Sequence, residues 1–426
     1  MKIAVVGAGW AGCAAAVEAT RRGHQVTLFE SARTLGGRAR RVEVEGPDGA
    51  LLPLDNGQHI LIGAYTDSLK LMRDLGVDTG ASFLRMPLTL QFPDGDGLRL
   101  NNLPAPFDAL FGILAARGWS WGEKLSLLKV ATGWRLKNFE CAPQLSVAAI
   151  CGGLPPRIMA TFITPLCVSA LNTPPECSSG QVFLRVLHDS LFSVSGGSNL
   201  LLPRRDLSAL LPDAAGAWLQ AHGGEVFAGA RVQAITALDS GWQLLADAAS
   251  AQLFDRIILA CPPQEAARLA ESAALQDDGD SWLARTRGLA HEAIATVYAM
   301  APGARLPMPM LALRSDEHFP AQFVFDRGQL GGPAGLLAFV VSASSGGSAA
   351  IGEQVAKQAA AQLGLPGVQV LQTIVEKRAT FACTPGLQRP AMTVAPGLLA
   401  CGDYVEGPYP ATLEGAVRSG LAAARI

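Results

Sequence analysis

Three glycines, Gly7, Gly9 and Gly12, stand in a G-x-G-x-x-G spacing directly after the apolar run 3–6. The first permits a tight turn, the second lets backbone N–H groups approach a pyrophosphate, and the third lets helix and strand pack closely. A helix opening at this point turns its positive end toward phosphate. Glu30 closes the next apolar run, 25–30, where its carboxylate can accept hydrogen bonds from a ribose diol. A glycine turn that binds nothing leaves Glu30 without a purpose, so the segment reads as a dinucleotide site.

Further groups extend this site. Gly36, Gly37 and Arg38 follow at once: paired glycines let backbone run beside a ligand, and an arginine can face phosphate. The alternative is a solvated surface arginine. In Asp55-Asn56-Gly57-Gln58-His59, Gly57 permits close backbone approach. His59 is there either a proton donor or cofactor partner, or a histidine satisfied by nearby backbone. Near the C-terminus, Gly402 and Asp403 follow a short apolar run and precede Tyr409, Thr412 and Leu413. A helix starting near Thr412 would aim N–H donors at a ligand, with Asp403 reaching its hydroxyls. The alternative is an ordinary threonine-capped helix. A plain NAD site does not need the Gly-Gly-Arg loop or the distant C-terminal group, so the cofactor read from these residues is FAD.

These residues need elements to hold them. The patterning predicts a strand over 3–6, a helix over 11–22, a strand over 25–30 and a helix over 66–75. Residues 80–195 read as irregular and proline-interrupted. A single helix is expected over 207–222. Strands follow over 225–227, 230–235, 242–246 and 256–260. Residues 280–385 read as mostly β, with 346–348 a flexible turn. A strand over 398–401 and a helix from Thr412 to the terminus close the chain.

Composition narrows the classes. The chain has 426 residues, 49% hydrophobic and 16% charged, enough for two or three cores and too apolar for disorder. A net charge of -2 gives no reason to expect nucleic acid. The cysteines form no C-x-x-C pair, so reduced thiols and a cytoplasmic location are expected, and no metal. The N-terminal apolar run breaks at Gly7 and Gly9, unlike a signal peptide. No apolar stretch is long enough to span a membrane, so membrane contact, at the inner face, would be peripheral. The segment 117–137 combines Trp119, Trp121 and Trp134 with Lys124, Lys129, Arg135 and Lys137. It suits a membrane interface or, equally, an amphipathic helix packed on the core.

Taken together, the pattern resembles the FAD-dependent amine oxidase and polyene desaturase superfamily, over segments 1–76, 196–263 and 397–424. The resemblance implies an α/β fold: a Rossmann-like FAD-binding domain (1–80, 196–270 and 386–426) with an inserted α+β substrate-binding domain (81–195 and 271–385). It places Gly7, Gly9 and Gly12 at the pyrophosphate and Glu30 at the adenosine ribose. Gly37 and Arg38 lie along the cofactor, and Gly57, Gln58 and His59 approach the isoalloxazine. Val232 meets the adenine, Gly402 and Asp403 the ribityl-phosphate region, and Thr412 and Leu413 the flavin. Where many amine oxidases carry an arginine two residues after the acid, this chain has Ala32.

The phrases DNGQHILIGAYTDSLKLMRDLGVD, FDRIILACPP and GDYVEGPYPATLEGAVRSG are similar to a squalene-associated branch. Its members remove the hydroxyl of hydroxysqualene with reduced flavin, on the way to hopanoids. That implies a long apolar isoprenoid substrate and walls from residues such as Phe162, Phe183, Leu187, Phe192, Phe323, Phe325 and Phe339. The leaving oxygen needs a proton, for which His59, then Tyr409 and Asp403, are the candidates. A carotenoid-type desaturase is the alternative; an amine oxidase is disfavoured because no lysine occurs between Lys137 and Lys357. A non-catalytic FAD-binding protein is the reading from another class. No second G-x-G-x-x-G marks a nicotinamide site, so the electron donor is unassigned.

Overall fold

The computed structural model describes residues 1–46, 49–101, 103–104, 106–193, 195–247, 251–274 and 281–425. The apolar run at the N-terminus becomes strand β1 (Lys2–Val6), buried along nearly its whole length. It pairs in parallel with β2 (Gln25–Glu30) on one side and with Arg256–Leu259 on the other. A continuous apolar run suits this place, because a central parallel strand is covered on both faces. The sheet continues outward through Glu225–Ala228 on one flank and through Leu398–Ala400 and Thr393–Ala395 on the other. Only the last of these strands runs antiparallel. Helix α1 (Trp10–Arg21) is Ala-rich and lies against the terminal helix Leu413–Ala423. That contact is close enough that a Cβ on Gly420 would sit 2.1 Å from the Ala11 carbonyl oxygen.

A second sheet of five strands is antiparallel throughout, in the order Met310–Ala312, Phe323–Asp326, Leu336–Ser342, His291–Met300, Gln369–Phe381. Side chains alternate across it. Leu337, Phe339 and Val341 face helix Ser348–Leu363, while Ala338 and Val340 face the opposite side. This helix corrects the expectation for 280–385: Gly346 and Gly347 lead into sixteen helical residues, and so do more than form a flexible turn.

Two other expectations change. The helix expected over 207–222 is two, Leu207–Leu210 and Pro212–Ala221. Pro212 cannot continue the first but suits the opening of the second, where an N–H has no helical partner. The segment 80–195 is largely helical, including α2 (Phe107–Ala115), α3 (Trp121–Leu136), Thr164–Leu171 and Gly180–His188. Pro156 opens a helix and Pro165 lies within the same helical run, just after the π-turn Met159–Ile163, so neither marks a loop. Helix α3 opens with a capping box between Ser120 and Glu123. Among the described residues no helix is long and apolar enough to cross a membrane.

Candidate active site

The glycine turn is shaped by steric need. Gly7 has φ +105°, and its N–H donates to the Phe29 carbonyl at 2.7 Å. A Cβ on Gly12 would fall 1.8 Å from the Gly7 carbonyl oxygen, so only glycine lets α1 start this close to the strand. The second glycine pair packs onto this turn: Gly36 N–H donates to the Ala8 carbonyl at 2.9 Å, and Gly37 faces Gly9. Glu30 is buried at the end of β2. Its carboxylate accepts from the Ala8 and Ala32 N–H groups, each at 2.8 Å, and from the Ser31 hydroxyl at 3.2 Å. The Ala32 position thus contributes its backbone.

Arg38 ties three distant stretches together. Its guanidinium pairs with the buried Asp403 carboxylate and donates to the Ala379 carbonyl at 2.7 Å. Asn56 fastens the next loop by donating to the Arg38 carbonyl at 2.9 Å. Gln58 takes its place between the sheets: its N–H donates to Thr296 Oγ1 at 3.2 Å, and its side-chain oxygen accepts from the buried Arg327 at 3.3 Å. Neighbouring Asp55 is buried too. It accepts from Leu207 N–H at 2.7 Å, satisfying one orphan donor at a helix start. Burial pushes its carboxyl from the ordinary 3.8 up to about 7.

His59 Nδ1 lies 2.7 Å from the Gly57 carbonyl oxygen. A carbonyl only accepts, so Nδ1 carries the hydrogen and Nε2 is left as an acceptor. Burial, with help from the Arg38 charge, holds the imidazole below its ordinary pKa and keeps it neutral.

At the C-terminal side, Thr412 caps the terminal helix: its Oγ1 accepts from Gly415 N–H at 3.0 Å and donates to the Tyr409 carbonyl at 2.7 Å. Tyr409 and Ala411 both adopt left-handed backbone, φ 59° and 57°. Non-glycine residues held there mark a segment constrained by its surroundings. Burial and the Asp189 carboxylate, which the phenol engages, push the Tyr409 hydroxyl up to about 12. Asp189 in turn accepts from Arg185 at 2.7 Å and from His188 at 2.8 Å. The fully buried Glu414 caps another helix, accepting from the N–H groups of Asp67 and Ser68 at 3.0 Å.

A cavity of about 840 Å3 gathers these residues. Gly7, Gly9, Glu30, Gly37, Arg38, Gly57, Gln58, His59, Val232, Gly402, Asp403, Tyr409, Thr412 and Leu413 all lie on its wall. Gly12 does not; it packs beneath the turn. The Val232 carbonyl accepts from Arg268 at 2.8 Å. The cavity runs on into an apolar hollow lined by Phe162, Leu187, Phe192, Phe323 and Phe325. Phe183 and Phe339 lie outside it, fully buried in the packing. Leu88, Leu90, Leu98, Leu100, Ile113, Leu127 and Trp134, not expected there from the sequence, lie on the same wall. One signal was available: Leu127, Ala131 and Trp134 recur at helical spacing along one face of α3.

The shape is that of a long slot with a glycine cradle at one end and loop and helix-start backbone further along. The profile of the family described as flavin containing amine oxidoreductase matches residues 10–284. The chain belongs to that family. Among curated relatives, hydroxysqualene dehydroxylase from Rhodopseudomonas palustris is 28% identical, over 99% of this chain and 97% of its own. The enzyme of the same name from Sinorhizobium fredii is 25% identical, with the same shares covered. An oxidoreductase structure from Methanosarcina mazei superposes with a TM-score of 0.75 at 18% identity, covering all of both chains. The fold of this flavin oxidoreductase is thus α/β, a Rossmann-like unit with an added antiparallel sheet, and its cofactor is FAD. The residues fit that cofactor: side chains at Gly7 or Gly12 would collide with backbone, and Glu30 and the Gly36-Gly37 pair flank the cradle.

Proposed function

We propose that this enzyme removes the hydroxyl of hydroxysqualene to give squalene. The observation that carries the proposal is the continuity of the glycine cradle with an aromatic, aliphatic hollow in one cavity. Whole-length similarity to relatives bearing the hydroxysqualene dehydroxylase name supports the substrate. In this reading residues 1–80, 196–270 and 386–426 form the FAD-binding domain, and 81–195 with 271–385 the substrate-binding domain. The six-stranded sheet, drawn from those three stretches, supports the division. Gly7, Gly9 and Gly12 shape the pyrophosphate cradle. Glu30 and Val232 serve the adenosine end. Gly37, Arg38, Gly402 and Asp403 lie along the middle, and Gly57, Gln58, His59, Thr412 and Leu413 at the flavin.

Reduced FAD, when bound, supplies a hydride. The substrate's C–O bond breaks, a C–H bond forms, and the oxygen takes a proton and leaves as water. Asp403 is taken up by its ion pair with Arg38. Neutral His59 presents only a lone pair at Nε2. Tyr409 keeps its O–H throughout the neutral range and lines the cavity, so we assign it the proton offered to the leaving oxygen, its hydroxyl turning from Asp189 to the substrate. The apolar walls exclude water from the reacting carbon.

The reading is tested by incubating dithionite-reduced enzyme with hydroxysqualene and extracting the lipids. Squalene is expected. Unchanged hydroxysqualene, with FAD fully loaded, contradicts it. Peripheral contact with a membrane belongs to the same reading, because a hydrocarbon substrate resides in bilayers.

A further inference from the structure

Helices α2 and α3 each show two apolar faces. Inward, Ala109 and Ile113 of α2 and Leu127, Ala131 and Trp134 of α3 line the cavity. Outward, α2 exposes Phe107 at 54% and Phe111 at 47%, while α3 exposes Trp121 at 68%, Leu125 at 60% and Leu136 at 81%. A helix covering a core normally turns polar residues outward, so this face breaks the rule on two adjoining helices at once. The two helices are tied to each other: Lys124 Nζ donates to the Leu114 carbonyl at 2.7 Å and lies 5.0 Å from the Trp121 ring centroid. Exposed Lys129, Arg135 and Lys137 sit beside the apolar stripe of α3.

From this arrangement we infer that the outer face of α2 and α3 docks on a bilayer containing anionic lipid, and that the pair forms the portal through which hydrocarbon enters the cavity. Tryptophan and phenylalanine in the interface plane with flanking basic residues are the chemistry that holds a peripheral protein on such a surface. No other part of the described surface combines large exposed apolar side chains with cavity-lining residues on the same helices. The docking half stands by itself. The portal half rests on the proposed function.

The test uses FAD-loaded enzyme and sedimentation with vesicles of phosphatidylcholine alone or mixed with phosphatidylglycerol, without substrate. The wild type is expected on the mixed vesicles, less on phosphatidylcholine alone, and less at high salt. The variant F107S/F111S/W121S/L125S, its fold verified by retained flavin absorbance, is expected to bind about tenfold or more weakly. Absence of wild-type binding, equal binding by the variant, or self-association through this face in place of vesicle binding overturns the docking. Turnover is then compared with hydroxysqualene in detergent micelles and in vesicles. The variant should match the wild type in micelles and fall about tenfold on vesicles; equal rates on vesicles overturn the portal. No turnover by the wild type in micelles, with vesicle binding intact, overturns the substrate reading and the portal with it, but leaves the docking supported.

Discussion

Proton supply separates three side chains that look equivalent as sequence. His59 sits next to a glycine in a polar cluster, and its chemistry is set by one hydrogen bond and by burial, neither visible in spacing. With Nδ1 committed to Gly57 and the imidazole pKa lowered, protonating it would strand a charge beside Arg38. Replacing His59 with Gln should therefore keep turnover within about threefold and leave the pH–rate profile without a lost limb near neutrality. Replacing Tyr409 with Phe should lower kcat by about 10²–10⁴-fold while FAD content and KM hold. Wild-type kcat in Tyr409→Phe would contradict the assignment. Tyr409 was legible as a candidate, but its partner Asp189 was not, because 220 residues separate them in the chain and only the fold makes them neighbours.

Among elements, the βαβ unit was legible because its information is local: an apolar run, a glycine spacing and an acid in register. The prediction at this scale is steric. Gly12→Ala would push a methyl into the Gly7 carbonyl, displacing α1, and the purified protein should lose its bound flavin; flavin content equal to wild type would contradict the cradle. The hollow was less legible. The strands Thr89–Gln91 and Gly97–Arg99 present Leu90 and Leu98 to the cavity only once they pair, and Phe339 was misread because strand alternation sends it to the opposite face. Asp55 gives a prediction about the joint between sheets. Its folded pKa, about 7, lies above the unfolded 3.8, so the folded chain holds a proton that the unfolded chain releases. Stability therefore falls as pH rises from about 4 to 7 and stays lowered above that. Asp55→Asn keeps an acceptor for Leu207 N–H and should raise stability at pH 8 by about 1–3 kcal/mol, with little gain at pH 4. Equal gain at both pH values in thermal melts would show that ionisation is not the cause.

For the whole molecule, two ends of the chain and its middle build one slot, and a second sheet with a helical cap extends it into an apolar hollow. Arg38 is the clearest joint, reaching from the N-terminal loop to Asp403 and to the antiparallel sheet at Ala379. A slot of this kind serves flavin chemistry in either direction on a hydrocarbon, so the direction of hydride transfer decides the function. The deciding measurement is an anaerobic single turnover: photoreduced enzyme is mixed with hydroxysqualene while flavin absorbance and product are followed together. Flavin reoxidation with one squalene formed per flavin is expected. Flavin that stays reduced with hydroxysqualene, yet is reduced from its oxidised form by squalene or a related polyene, would contradict it.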